Sequence, residues 1–415
     1  MTVLLIGTLD TKGAEVGFVR DRLQESGVPT LVMDVGILGP PTIPADISRE
    51  RVFSAAGVSL SELQAERDRG RAVSAAAEGA RTIAAQLHAE RAITGVFGLG
   101  GSGGTIIATS AMRALPIGVP RIMVSTLASG QTRPYVGERD IVLWPSVVDV
   151  AGINRISRTV LTNAALAMAG MVTLPRPAPV PDRPIITATM FGVTTPCVEQ
   201  ARKPLEEQGN EVLVFHATGA GGRTMEALIA DGLVSGVLDI TTTELADELA
   251  GGVLSAGPER LTAAGKLGVP QVISVGALDM VNFGPMQSGG LPEGAAESYR
   301  GRNFYQHNAA VTLMRTTPDE NARFGEEIGR KATAAKGPTA ILLPLRGVSA
   351  IDAPGQPFHD PEADAVLFQA IRLHCNHNVD LIELDLHIND PEFAAAAAGK
   401  LLELLQSSET SPAAG

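Results

Sequence analysis

The chain has 415 residues, more than one hydrophobic core ordinarily serves, so two substantial domains are expected. Hydrophobic residues make up 45% and aromatics only 4%, which leaves Ala, Val, Leu and Ile to fill the interior and favours an α/β fold. A net charge of -12 argues against a nucleic-acid surface, two cysteines are too few for a disulfide framework, and no apolar run could span a bilayer, so a cytoplasmic setting away from membranes is expected.

In chain order, an apolar run at residues 3–6, the loop Gly7-Thr-Leu-Asp-Thr-Lys-Gly13, a helical pattern over 15–26 and a second apolar run at 31–35 read as β-loop-α-β. The loop has Lys before its second Gly and is therefore not the G-x-x-x-x-G-K-[ST] phosphate loop. Its chemistry still suits a phosphate: beyond Gly7, Thr8 and Thr11 can donate to oxygens, Lys12 can neutralise them, and Asp10 can hold Mg²⁺ or simply cap the helix. Asp34, at the end of the second run, reads first as an ordinary loop aspartate and second as a ribose contact. Residues 39–70 suggest loops and short helices, 71–87 an Ala-rich helix and 93–97 a buried strand.

That strand leads into Gly98-Leu-Gly100-Gly101-Ser102-Gly103-Gly104-Thr105, with a helix expected over 105–115. Glycines there let backbone N–H groups approach an anion, and the helix dipole favours its charge, so a phosphate is the natural occupant. A dinucleotide is disfavoured, because the acid expected after the next strand is absent: Met123, Val124 and Ser125 stand there. The strand at 121–125 delivers Ser125, Thr126, Ser129 and Gly130, the next candidates for the same ligand, and helices are expected over 147–169.

The run Pro175-Arg-Pro-Ala-Pro-Val-Pro-Asp-Arg-Pro184 cannot sustain helix or ladder, so residues 176–184 are taken as a linker between domains at 1–175 and 185–406. After it the opening pattern recurs, with strands at 185–189 and 212–215 around a helix at 196–208, which suggests two domains of related topology. A second glycine turn, His216-Ala-Thr218-Gly219-Ala-Gly221-Gly222-Arg223, resembles an anion site, and with Arg346 it is assigned a small anionic substrate. Further strands are expected at 234–239, 271–275, 339–343 and 381–384. Glu226, Asp279, Arg346 and His359, with Asp352 and Asp360 near by, are chemically capable groups at strand ends, each with an alternative reading as cap or turn residue. Cys197 lacks a neighbouring base, His374-Cys-Asn-His377 has no metal spacing, and the small polar residues 407–415 read as a disordered tail.

Several stretches together resemble the Tm-one-like ATP-binding domain family: Ile6-Gly-Thr-Leu-Asp-Thr-Lys-Gly13, Gly98-Leu-Gly-Gly-Ser-Gly-Gly-Thr105, Met123-Val-Ser-Thr126, Asp149-Val-Ala-Gly-Ile-Asn-Arg-Ile-Ser157, Met190-Phe-Gly-Val-Thr-Thr-Pro-Cys197, Leu238-Asp-Ile-Thr-Thr-Thr-Glu-Leu-Ala-Asp247 and Leu343-Pro-Leu-Arg-Gly-Val-Ser349. The resemblance implies two Rossmann-like domains, ATP on the first and a homodimer or higher homo-oligomer, and it supplies no reaction. The expectation is therefore an ATP-binding protein, with Mg²⁺, acting on a small anionic metabolite in a cleft between the domains. The alternative is a nucleotide-gated binding protein that consumes nothing.

Overall fold

The strands alternate side chains between two faces, and in this chain both faces are apolar, the pattern of a parallel sheet covered on both sides. The computed structural model describes residues 1–175 and 182–410. It divides into two compact units, residues 1–178 and 179–415. In the first, β1 (Val3–Gly7), β2 (Thr30–Asp34), β3 (Gly95–Gly100), β4 (Arg121–Ser125) and β5 (Val142–Pro145) form one sheet in the order β2-β1-β3-β4-β5. Every pairing is parallel.

The two-residue period of the strands sorts the core. Leu4, Ile6, Met33 and Val96 point to the face covered by helices Arg69–Ala89 and Ser102–Arg113, where Ala76, Ala80, Ile83, Ile107 and Ala111 meet them. Val3, Leu5, Val32 and Phe97 point to the other face, against Val16, Val19 and Leu23 of helix Leu9–Glu25 and Leu161, Ala165 and Met168 of helix Arg155–Thr173. Small side chains on both helix layers let the helices lie close to the sheet without aromatic filling. Asn154 starts the last of these helices with a reciprocal capping box to Ser157.

The second unit contains β6 (Ile185–Met190), β7 (Glu211–His216), β8 (Gly236–Thr241), β9 (Gln271–Gly276), β10 (Met280–Phe283), β11 (Phe304–Gln306), β12 (Thr312–Arg315), β13 (Thr339–Pro344) and β14 (Val379–Leu384). Six of them build a parallel sheet in the order β14-β13-β9-β8-β6-β7, which is the order of the first unit with one strand added. Helices Thr195–Glu207 and Pro391–Thr410 cover one face, and helices Pro318–Thr333 and Pro361–His374 the other. The remaining strands make a small antiparallel sheet, β10-β12-β11.

Three expectations change. The strand before the first glycine turn runs to Gly100 and the helix starts at Ser102, so Gly98, Leu99 and Gly100 are strand and the turn itself is Gly101. Residues 407–410, expected to be disordered, continue the helix Pro391–Thr410, whose Leu401 and Leu404 are buried against the sheet; 411–415 lie outside the described residues. Most of the expected linker, 176–181, also lies outside them. Among the described residues no helix is long and apolar enough to cross a membrane.

Candidate functional site

In an open parallel sheet the strand order reverses at a switch point, and the loops leaving the carboxyl ends of the two strands there diverge to opposite faces. The first unit has this point between β1 and β3, so Gly101 after β3 and the residues after β1 stand at adjacent strand ends; the expected loop through Gly13 is shorter than read, because the helix starts at Leu9 with Thr8 as its N-cap. Glycine is needed along β3 for two internal reasons. A Cβ on Gly98 would stand 2.5 Å from Ala108 Cβ and 2.8 Å from Met123 Sδ, and Gly100 has a φ of +156°. Gly104 packs against the Leu99 carbonyl.

Gly101 and Gly103 are different. Gly101 has φ -81°, open to any residue, and a Cβ there would meet nothing nearer than Thr126 Oγ1 at 3.8 Å; on Gly103 the nearest atom would be Val73 Cγ2 at 3.5 Å. The first intrahelical hydrogen bond is donated by Thr105 N–H to the Gly101 carbonyl at 2.8 Å, which leaves the N–H groups of Ser102, Gly103 and Gly104 beyond the helix ladder. Ser102 is exposed at the mouth.

The other candidates divide by burial. Thr105 and Ser125 are buried and bonded to each other, Oγ to Oγ at 2.6 Å, and Ser125 Oγ also accepts the Leu127 N–H at 2.9 Å. They clamp β4 to the helix start and are spent on the fold. Thr126, Ser129 and Gly130 are exposed. Thr8 and Thr11 share a hydroxyl contact at 2.9 Å, and Lys12, at a kink in its helix, reaches the Val150 carbonyl. Gly7 packs on Val16. Asp10 is held by the fold through one oxygen: its Oδ2 accepts from Leu38 N–H at 2.7 Å and Gly39 N–H at 3.3 Å, and a Cβ on Gly36 would lie 2.6 Å from the carboxyl, while its Oδ1 is buried without a hydrogen-bond partner. Asp34 is likewise structural, accepting from Leu9 N–H at 3.0 Å and paired with buried Arg49 at 2.8 Å.

In the second unit the glycine turn is closed from inside. Gly219 N–H donates to Glu244 Oε1 at 2.7 Å and Gly222 N–H at 3.1 Å, so the anion at this helix start is the protein's own carboxylate. Thr218 and Gly221 fold against the His216 carbonyl, and Arg223 donates to the Ser255 carbonyl at 2.5 Å. The expected substrate site at Thr218–Arg223 is thereby corrected to a sealed structural turn. Glu244 is held in turn by Arg260, wholly buried, which also grips Asp239 through two hydrogen bonds of 2.5 and 2.6 Å. Glu226 accepts from the backbone N–H groups of Leu261, Thr262 and Ala263, which makes it a helix-start cap and not a catalytic carboxylate. The switch point between β6 and β8 is crossed by a contact of Thr194 Oγ1 with Thr241 Oγ1 at 2.8 Å.

A cleft of about 650 Å³ opens instead over the ends of β13 and β14, lined by Arg346, Gly347, His359, Asp364, His387 and Asp390 over an apolar floor that includes Leu345 and Phe368. Arg346 is paired with Asp385 at 2.6 Å. Beneath lie Asp279, Asp352 and Asp364 around Arg315, which bonds Asp364 at 2.8 Å; Ser349 donates to Asp279 at 2.8 Å. Burial, with repulsion from Asp352, pushes Asp279 up to about 7 and Asp364 to about 8. Asp279 is wholly buried and does not line the cleft, so of the capable groups read from sequence only His359 and Arg346 reach it. Arg260, Arg315 and Asp364 carry no motif, and Glu244 lies in the stretch Leu238–Asp247 without a role readable there; the fold pairs Glu244 with Arg260 and Arg315 with Asp364.

Known proteins with similar sequences share both units. Residues 1–177 match the N-terminal domain, and 183–405 the C-terminal domain, of an uncharacterised protein family, UPF0261. A UPF0261 protein of Clostridium tetani is 50% identical over 97% of this chain and 99% of its own length, and one of Mesorhizobium japonicum is 50% identical over 96% and 98%. The ToMV resistance protein Tm-1 of Solanum lycopersicum is 42% identical over 97% of this chain, which spans 55% of that longer protein. The chain belongs to the UPF0261 family, in both of its domains.

Proposed function

We propose that the first unit binds ATP, with its phosphates on the N–H groups of Ser102, Gly103 and Gly104 and its Mg²⁺ carried by the phosphates. The observation that carries this reading is that Gly101 and Gly103 answer to nothing inside the protein, neither a positive φ nor a crowded Cβ. Gly103 stands at the second position of the helix, where glycine costs up to roughly 1 kcal/mol relative to Ala. A close-approaching phosphate supplies a reason for that cost. Thr8, Thr11 and Lys12 stand across the same switch point with hydroxyl and ammonium donors suited to the β- and γ-phosphates. The test is Gly101→Val, whose backbone conformation Val adopts freely: ATP affinity falls at least about tenfold while the melting temperature holds. Unchanged affinity refutes the site.

Whether ATP is consumed is a separate matter, and one observation favours a gating role: Glu226 and Asp279, two of the candidate catalytic groups, are tied up in the fold. The enzymatic reading requires ADP or AMP to accumulate when the protein is given Mg-ATP and metabolite pools. Its absence leaves ATP as an effector.

A further inference from the structure

A β-branched residue in the left-handed region of backbone space is strained, and strain of that kind persists only where the surroundings hold it. Val147, just past the end of β5, has φ +65° and is 74% exposed. Val148 N–H donates back to the Ser146 carbonyl at 2.7 Å, so Val147 is the middle residue of a three-residue turn in its rare, strained hand. Its own side chain lies largely in solvent and does not hold the turn. The hold comes from elsewhere.

At the start of the segment, Ser146 N–H donates to the Ser125 carbonyl at 3.1 Å, and at its end Gly152 N–H donates to the buried Glu15 Oε1 at 2.6 Å. Between them the Lys12 ammonium donates to the carbonyl of Val150, a residue only 4% exposed. Two side chains of one helix, Leu9–Glu25, thus tie the segment down, and one of them is mobile by construction: Lys12 has φ -128° and ψ 17°, which breaks the helix at that residue. The direction of its reach matters. Helix Leu9–Glu25 and the helix Arg155–Thr173 that follows the segment cover one face of the sheet, while the glycine turn at Gly101 leads to helix Ser102–Arg113 on the other. The ammonium is therefore turned away from the N–H groups of Ser102, Gly103 and Gly104. Resting on Val150 it is not at the phosphates, and drawn to the phosphates it leaves Val150 bare.

We propose that Lys12 is a latch through which ATP releases the segment Ser146–Gly152, an inference that rests on the nucleotide reading of the first unit. A phosphate oxygen carries charge and outbids a neutral carbonyl for the ammonium. The break at Lys12 lets the side chain swing across to it. The Val150 carbonyl, buried and stripped of its donor, then cannot stay where it is, and the strained turn at Val147 gives way with it. No bond is made or broken. The shift of the segment is the response, and it gives a nucleotide that is not consumed a way to act. Coupling of this kind is reciprocal, so a change that favours the closed turn weakens ATP binding by the same factor.

Hydrogen exchange on the full chain reads the latch directly. Saturating Mg-ATP speeds exchange of the amides of residues 148–152 about fivefold or more. Lys12→Met shows the same fast exchange at 148–152 with no nucleotide present, which judges the latch apart from the ligand. Val147→Gly accepts the positive φ without strain, keeps the turn closed and weakens ATP about threefold or more in an equilibrium titration, and it decides the matter should Lys12→Met not fold. Native exchange at 148–152 in Lys12→Met, no change there in the native protein with ATP bound, or native ATP affinity in Val147→Gly overturns the proposal. Absence of ATP binding by the native protein overturns the trigger together with the nucleotide reading, and the exchange of Lys12→Met tells that failure from failure of the latch.

Discussion

Glu244 Oε1 accepts the Gly219 N–H at 2.7 Å, in the place an anionic ligand takes at a helix start. Removing that carboxylate strips two N–H groups of their acceptor and leaves Arg260, fully buried, facing one fewer counter-charge. Glu244→Ala therefore destabilises the protein by about 3–5 kcal/mol, as breakage of a buried ion pair does. It also opens an anion site: sulfate raises the melting temperature of the variant more than that of the native protein. Equal sulfate effects in both proteins would count against this account of the turn.

The glycines of the first unit separate by substitution. Gly98→Ala forces a methyl to within 2.5 Å of Ala108 and costs about 1–3 kcal/mol by overpacking. Gly103→Ala meets only ordinary contact, 3.5 Å from Val73, and leaves stability unchanged or slightly raised. Chemical denaturation of the two variants shows which glycines serve the fold.

Ser125→Ala removes the 2.6 Å hydroxyl contact with Thr105 and the acceptor of Leu127 N–H. Stability falls by about 1–3 kcal/mol, the cost of buried groups left unpaired. ATP affinity changes less than in Gly101→Val, since Ser125 is buried behind the turn. A loss of affinity with no loss of stability would reverse this ordering and make Ser125 a ligand contact.

The second unit carries a pH dependence. Asp279 and Asp364 titrate in the folded state near 7 and 8, far above an unfolded aspartate near 3.9, because burial disfavours their charge. Asp247, fully buried and bonded to Asn282, is likewise raised to about 7. A raised carboxyl binds its proton more tightly when folded, so its contribution is fully present below the unfolded value and is lost as pH climbs through 7 to 8. Each such group gives a slope of roughly 1.4 kcal/mol per pH unit at most. Stability should decline between pH 5 and 8, and Asp364→Asn should flatten that decline; denaturation midpoints across that range measure both.

Much of the layout was legible because each piece rests on local chemistry. The apolar run 3–6 emerged as Val3–Gly7, the run 121–125 as Arg121–Ser125, and the Ala-rich pattern 71–87 as helix Arg69–Ala89. The strand Val142–Pro145 escaped notice because it is four residues long, half exposed and ends in Pro, so no alternation announces it. The antiparallel sheet of β10, β11 and β12 escaped because its strands are three or four residues long, too short to show a period. The second glycine turn looked like the first in sequence, and nothing local distinguishes them: what fills it is Glu244, 25 residues beyond Gly219, steered by Arg260. Arg315 and Asp364 are 49 residues apart and meet only through the packing of β12 against the helix Pro361–His374.

The shared strand order gives the chain two versions of one scaffold, and the Thr194–Thr241 contact marks where their switch points differ. Where β6 and β8 part, the crossing is stitched shut, and Arg260, Asp239 and Glu244 form an interlocked trio in which replacing one member strands the others. Such a trio drifts only by joint replacement. The residues around Gly101 and Gly103 bear no comparable folding duty, so over descent that turn is free to vary. Two relatives that differ in what they bind should therefore diverge first at the turn after β3, and last among the three charged groups beneath the turn after β7.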